Sequence, residues 1–193
     1  MSKNITVLVA HPDDEIIFCW PAFELFDVKK IIVCSDDSDN PDRPYGTRRC
    51  DAFREACAFL DAEPVIIKGP SEFYRMETRP KANLKFHLRT ILDTVSNEEA
   101  LFTHNPWGEY GHLDHIMVNQ VAMHSGLPYY FTDCYQPRNW VPWEAAPKDI
   151  PGLIASAQQK YETYSAVEKI YRKYDAWTWD CPPMSRTFIH RGK

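Results

Sequence analysis

Short apolar runs alternate with helical patterns along roughly the first 135 residues of the chain. The runs are continuously apolar or rich in β-branched and aromatic residues, which is the pattern of strands buried on both faces. They cover residues 5–10, 28–34, 64–67, 100–103 and 127–132. Between them, apolar positions recur at helical spacing over 14–26, 47–60, 84–95 and 112–124, and Pro21 is expected to kink the first of these helices.

The pattern is less regular after residue 135. It predicts an aromatic loop over 135–143, a long helix from about 152 to 174 and a final edge strand over 185–190. Because strands alternate with helices and no hairpin signal joins them, the chain is expected to form βαβ units. The expected fold class is α/β, a Rossmann-like three-layer α/β/α sandwich with a mainly parallel sheet. Residues 1–193 suit one domain whose C-terminal part, from about 135, is divergent and rich in aromatic residues.

Composition and charge narrow the classes of function. The net charge is -5 and the basic residues are interspersed among acidic ones, so the chain offers no basic stripe for nucleic acid. No apolar run reaches the roughly 18 to 20 residues that span a bilayer, and the N-terminus lacks the pattern of a signal peptide. We therefore expect a cytoplasmic protein with no nucleic-acid partner and no membrane span, and a homo-oligomer stays open.

Two predicted strand ends carry side chains of the types that hold metal ions. They are His11, Asp13 and Asp14 after the first strand, and His112, Asp114 and His115 after the fourth. In a parallel sheet both strand ends lie at the same edge, where ligands bind. Two imidazoles and a carboxylate suit zinc or a neighbouring first-row ion, and three protein ligands leave a position open for water. The arrangement therefore indicates a metal site for hydrolysis.

The two motifs also resemble those of a known family. The sequence A-H-P-D-D-E at 10–15 and H-L-D-H at 112–115, about a hundred residues apart, resemble the motifs of the LmbE-like, or PIG-L, deacetylases. The resemblance implies a Rossmann-like fold, a divalent metal and removal of the acetyl group from N-acetylated amino sugars. Zn²⁺ is the expected metal, with Fe²⁺ or another first-row ion as the alternative.

Carried over position by position, the resemblance makes His11, Asp14 and His115 the metal ligands and Asp13 the general base. The chemistry of the motif agrees. Adjacent aspartates on a tight turn point in different directions, so one can hold the metal while the other contacts water. A bound cation lowers the pKa of that water to roughly 7, and a neighbouring carboxylate can then take its proton.

Further residues are predicted around this centre. His112, at a helix start, is expected to donate to the developing oxyanion, with Asp114 orienting its ring; the alternative is that His112 only caps the helix. Tyr110 matches a tyrosine with which some relatives contact the substrate or the oxyanion, unless it is simply a packed aromatic residue of the loop. Arg49 matches an arginine that grips the substrate sugar, unless it is simply a solvated helix residue. Asp37 follows the second strand at the same edge, where it could bind sugar hydroxyls or cap the following turn.

The sequence thus predicts a zinc-dependent N-deacetylase, a hydrolase of linear amide bonds. The expected substrate is a small molecule or glycoside that contains N-acetylglucosamine. Two alternatives stay open. Two histidines and a carboxylate also form the facial triad of non-haem iron oxygenases, although those ligands are expected on β-sandwich strands. A non-catalytic, receiver-like module with an acidic pocket would leave His11, His112 and His115 unexplained.

Overall fold

The structure is a computed structural model that describes residues 4–36, 46–70, 72, 83–134, 152–179 and 186–192. The predicted aromatic loop over 135–143 and the predicted substrate-binding residue Asp37 lie outside the described residues.

A seven-stranded sheet forms the centre of the described chain. Its strands are β1 (Asn4–Val9), β2 (Asp27–Val33), β3 (Glu63–Ile66), β4 (Leu101–Thr103), β5 (Tyr129–Thr132), β6 (Leu153–Gln158) and β7 (Arg186–Arg191). Their spatial order is β3-β2-β1-β4-β5-β7-β6. The first five strands pair in parallel, whereas β7 runs antiparallel to both β5 and β6. The predicted mainly parallel sheet is confirmed.

Helices cover both faces of this sheet. They are α1 (Asp14–Ile17), α2 (Trp20–Leu25), α3 (Gly46–Phe59), α4 (Leu84–Val95), α5 (Gly108–Gly111), α6 (Leu113–His124) and α7 (Tyr161–Lys173). Apolar side chains of α1, α2, α3 and α7 pack with Val7 and Val9 of β1 into one core layer. Those of α4 and α6 pack with Leu8 and Ala10 into the other. Successive residues of β1 thus face opposite core layers, which explains its continuously apolar sequence.

The predicted kink at Pro21 separates two helices. In place of one helix over 14–26, α1 ends at Ile17 and α2 begins at Trp20. Pro21 lies in the first turn of α2, where the amide proton that proline lacks would have no partner within the helix.

The C-terminal prediction is wrong in two respects. The first part of the predicted helix over 152–174 is the strand β6, and only its second part is α7. The predicted edge strand over 185–190 is β7, which lies inside the sheet between β5 and β6. Local sequence could not decide either point, because β6 is extended through its antiparallel pairing with β7, about 30 residues further along the chain.

The strand order reverses between β1 and β4. The chain moves from β1 to β2 on one side, while β4 pairs with β1 on the other side. In open α/β sheets, ligands bind at the carboxyl ends of the strands where the order reverses in this way. Among the described helices, none combines the length and apolar character needed to cross a membrane.

Candidate active site

The residues after β1 form a tight, unusual turn. Asp13 has φ 95°, a left-handed conformation that residues other than glycine seldom adopt. Two carboxylates hold the turn: Glu15 Oε2 accepts the backbone N–H of Asp13 at 2.9 Å, and Asp14 Oδ2 accepts that of His11 at 2.8 Å. The neighbouring carboxylates of Asp13 and Asp14 contact different partners, as the sequence predicted for adjacent aspartates.

Three histidines surround the Asp14 carboxylate. Its Oδ2 atom lies 3.3 Å from His11 Nδ1, 3.4 Å from His115 Nε2 and 3.4 Å from His104 Nε2. The three residues predicted as metal ligands, His11, Asp14 and His115, therefore lie together at the carboxyl ends of β1 and β4. Ring nitrogens of His11, His112 and His115 also lie within 4.8 Å of one another.

His115 has the properties of a metal ligand. Its Nδ1 lies 2.7 Å from Glu109 Oε2, and within the described chain its buried Nε2 has no hydrogen-bond partner. Burial and the neighbouring His104 ring lower the pKa of His115, which favours the neutral ring. With its proton on Nδ1, the Nε2 lone pair is directed at the Asp14 carboxylate. A carboxylate behind a histidine is the usual support of such a ligand, and the residues present fit a divalent cation.

His104 lies equally close to Asp14 but has a different role. Its Nε2 accepts the backbone N–H of Ala10 at 3.0 Å, and its Nδ1 lies 3.1 Å from Glu109 Oε2. Its ring stacks on that of His115, with the centroids 3.8 Å apart. This Nε2 lone pair is therefore engaged by a backbone N–H, although possible ligand atoms of Asp14, His104 and His115 also lie within 4.8 Å of one another.

His11 is oriented by the carboxylate of Asp114, whose Oδ2 lies 3.0 Å from His11 Nε2. Burial opposes a charge on His11, but Asp114 and Asp14 raise its pKa to about 10, so a cation held by His11 and Asp14 would have to displace the ring proton from Nδ1. The sequence predicted that Asp114 orients His112. The structure places the Asp114 carboxylate against His11, and the contact between Asp114 and His112 is made by the Asp114 backbone N–H, 3.2 Å from His112 Nδ1.

His112 caps a helix and also presents a hydrogen-bond donor, the two roles that were considered from the sequence. It is the N-cap of α6, and its Nδ1 accepts the backbone N–H of Asp114. Burial, together with the neighbouring rings of His115 and His11, lowers the pKa of His112 to about 2, so this ring is neutral. The single ring proton is then on Nε2. The ring centroid lies 4.5 Å from that of His115, so this N–H is a hydrogen-bond donor beside the ligand cluster.

The Asp13 carboxylate is buried between two donors from distant parts of the chain. Arg49 Nη2 lies 3.0 Å from its Oδ1, and Thr178 Oγ1 donates to its Oδ2 at 2.8 Å. Burial raises the pKa of Asp13 to about 6, although Arg49 acts in the opposite direction. A carboxylate with such a pKa is suited to general base catalysis near neutral pH.

Arg49 lies at the start of α3, as predicted, and is buried, so it is not the solvated helix residue that the sequence left open as an alternative. Its guanidinium contacts Asp13 and the Pro12 carbonyl, and its contact with a substrate stays a prediction. Tyr110 does lie at the site. It is half-buried, and its ring centroid is 5.7 Å from that of His112 and 5.6 Å from that of Trp179.

Glu109 was not recognised from the sequence. It is fully buried, and its Oε2 contacts both His104 and His115. Burial disfavours its charge, but these two histidines lower its pKa to about 2. Glu109 has φ 55°, between Gly108 and Gly111, which also have positive φ. The G-E-Y-G sequence before the histidine motif was the available signal for such a turn.

Thr178 and Tyr171 were also missed. Tyr171 donates to Glu15 Oε1 at 2.6 Å, beside the contact of Thr178 with Asp13. No sequence signal could have identified them, because they lie more than 150 residues from their partners and belong to no motif.

Known proteins share this fold. The structure of a deacetylase of teicoplanin biosynthesis has a TM-score of 0.62 at 11% identity and covers 98% of this chain and 99% of its own. N,N'-diacetylchitobiose deacetylase from Pyrococcus horikoshii has a TM-score of 0.60 at 12% identity, and the match covers 93% of this chain and 72% of that deacetylase. The 4-carboxy-2-hydroxymuconate hydratase GalB from Pseudomonas putida has a TM-score of 0.51 at 14% identity, and the match covers 98% of this chain and 95% of the hydratase. At these identities the similarity shows the fold, and the fold is common to deacetylases and a hydratase.

The family is shown by sequence. A comparison with curated protein sequences finds no match. The family model for PIG-L, described as GlcNAc-PI de-N-acetylase, matches residues 6–125, well over half of the chain, and includes both motifs. As those motifs predicted, the chain belongs to the PIG-L family.

Proposed function

We propose that the protein is a metal-dependent N-deacetylase of an amino sugar, a hydrolase of linear amide bonds. The observation that carries the proposal is the convergence of His11 and His115 on the Asp14 carboxylate, with the separate carboxylate of Asp13 on the same turn. The family description names a de-N-acetylase of a GlcNAc compound, and one structural neighbour is named as a deacetylase of N,N'-diacetylchitobiose. We therefore propose a small-molecule substrate that contains N-acetylglucosamine.

The proposed metal ligands are His11, Asp14 and His115. Two observations support this choice: among the described residues the buried Nε2 of His115 has no hydrogen-bond partner, and a carboxylate lies behind each of the two histidine rings. Nitrogen and oxygen donors favour Zn²⁺, and Fe²⁺ is the alternative. When bound, the ion would polarise the acyl carbonyl and make a water molecule more acidic.

The other side chains supply proton transfer and charge stabilisation. Asp13 takes the proton of the attacking water as the new C–O bond forms. As the C–N bond breaks, it passes that proton to the leaving amine, so that acetate and a free amino sugar result. The Nε2–H of His112 donates to the acyl oxygen as that oxygen gains negative charge, and Tyr110 forms part of the wall beside it.

Two other hypotheses for the function of the same residues have less support. A facial-triad oxygenase is expected on a β-sandwich, whereas these ligands follow strands of a mainly parallel sheet. A receiver-like module would not need the buried histidine cluster. We also propose that the chain is one domain, because β6 and β7, after residue 135, pair into the same sheet as the motif strands.

The activity can be tested with purified protein loaded with Zn²⁺. N-acetylglucosamine, N,N'-diacetylchitobiose and a GlcNAc-inositol lipid would be incubated with it, and the released primary amine and acetate measured. We expect equal amounts of the two products from at least one compound, and loss of both products in the presence of a chelator. Absence of amine release from all three, with metal bound, would contradict the proposed substrate class.

A further inference from the structure

We propose that Thr178, in the segment after α7, is a positioning residue that holds the Asp13 carboxylate in its working orientation. The inference rests on the proposed function, in which Asp13 is the general base. It assigns a part in the reaction to a segment of the chain beyond the residues that match the family model.

The Asp13 carboxylate is held at both oxygens. Arg49, from α3, binds Oδ1, and Thr178 binds Oδ2. A carboxylate held at one oxygen can still rotate about its last torsion, whereas two contacts from different directions select one orientation. Each oxygen has a second lone pair, so the clamped carboxylate can still accept a proton from water.

The segment that carries Thr178 is held against the turn by contacts of residues before and after it in the chain. Tyr171, at the end of α7, donates to Glu15 Oε1, and Glu15 Oε2 accepts the backbone N–H of Asp13. Trp179 packs edge-on against Phe18, with ring centroids 5.0 Å apart. The C-terminal segment therefore contacts the turn and the helix after it on both sides of the hydroxyl that binds Asp13.

The backbone of the turn at Asp13 also needs support from its surroundings. Asp13 has a left-handed backbone, which is unfavourable for aspartate and persists only where the surroundings hold it. Arg49 also contacts the carbonyl of Pro12, so it holds the backbone as well as the carboxylate. The Thr178 hydroxyl donates to the carboxylate, and removing it leaves both contacts of Arg49 in place, so Thr178 is the better target for a test of orientation.

Two variants of Thr178 separate the hydroxyl from the shape of the side chain. Thr178→Val keeps the volume and removes the donor, whereas Thr178→Ser keeps the donor. With N,N'-diacetylchitobiose and N-acetylglucosamine as probes, we expect Thr178→Val to lower kcat about tenfold to a hundredfold, which is typical of a displaced catalytic group. KM and the bound Zn²⁺ should be unchanged, and Thr178→Ser should stay within about threefold of the wild type.

Two results would overturn the inference: wild-type kcat in Thr178→Val, or a serine variant as slow as the valine variant. If the wild type releases no amine from either probe, the proposed function fails, and the clamp is tested by crystal structures of the two variants. We expect the Asp13 carboxylate to be displaced in Thr178→Val and retained in Thr178→Ser. An undisplaced carboxylate in the valine variant would contradict the inference without any measurement of activity.

Discussion

At the scale of single residues, the two histidines nearest to Asp14 differ in whether a ring nitrogen already has a hydrogen-bond partner. His104 and His115 lie at the same distance from Asp14 Oδ2, but only His115 has a ring nitrogen that is left for a ligand. The motifs predicted the identity of His115 and Asp14 because these residues lie in short, recognisable sequences. They could not predict partners such as Asp114 for His11, because that contact joins residues 103 positions apart.

Glu109 provides a test at this scale. Replacing it in Glu109→Gln removes the charge behind His115, so we expect Zn²⁺ to bind about tenfold to a hundredfold more weakly. Competition with a chromogenic chelator measures the affinity. Glu55→Gln is the matched control, since that carboxylate contacts Lys173 and Tyr174 at the surface. Equal affinity in the Glu109 variant and the control would show that Glu109 does not support the ligand.

At the scale of elements, the site is positioned by the ends of β1 and β4 and by the turns that follow them. The apolar pattern predicted both strands, because strands buried on both faces have continuously apolar sequences. It could not predict the geometry of the turns. The backbone N–H groups of the left-handed residues Asp13 and Glu109 donate to the side chains of Glu15 and Asn105, and a pattern of apolar positions does not encode such bonds.

A substitution at Gly108 tests how tightly the turn after β4 is packed. It has φ +66°, and a Cβ atom there would lie 2.9 Å from Ile116 Cγ1. We expect Gly108→Ala to lower the free energy of unfolding by about 2 to 3 kcal/mol, through backbone strain and this contact. Gly126→Ala is the control, because Gly126 has φ +75° and open space around its Cβ position. It should cost about 1 kcal/mol in urea denaturation. Equal losses in the two variants would rule out the contact with Ile116.

At the scale of the whole molecule, the C-terminal part completes both the sheet and the site. β6 and β7 extend the sheet beyond β5, and the segment after α7 reaches the turn at Asp13. The sequence predicted the α/β class from its alternating strands and helices. It did not predict β6 as a strand or Thr178 as part of the site, because each depends on a partner far away in the chain.

The stability of the molecule should depend on pH through His87, a buried residue of α4. Burial lowers the pKa of His87, so the folded protein binds fewer protons than the unfolded chain below about pH 6.5. The contribution of the neutral His87 ring to the free energy of unfolding is therefore complete above that pH and is lost as the pH falls. Between pH 7.5 and 5.5 we expect His87→Gln to lose less stability than the wild type in urea denaturation, because glutamine does not take up a proton in this range.

The exposed His124 provides the control for this comparison, as His124→Gln also removes one imidazole. The same pH dependence in His87→Gln and in the wild type would show that the protonation of His87 is not coupled to folding.

The central claim is that one aspartate of the motif holds a metal while its neighbour transfers the proton. The most direct measurement is the Zn²⁺ content per chain together with the rate of amine release, for the wild type, Asp13→Asn and His115→Gln. We predict that Asp13→Asn keeps the metal and loses more than about a thousandfold in turnover, whereas His115→Gln loses both. Near-normal turnover in Asp13→Asn, or full metal content in His115→Gln, would contradict the account.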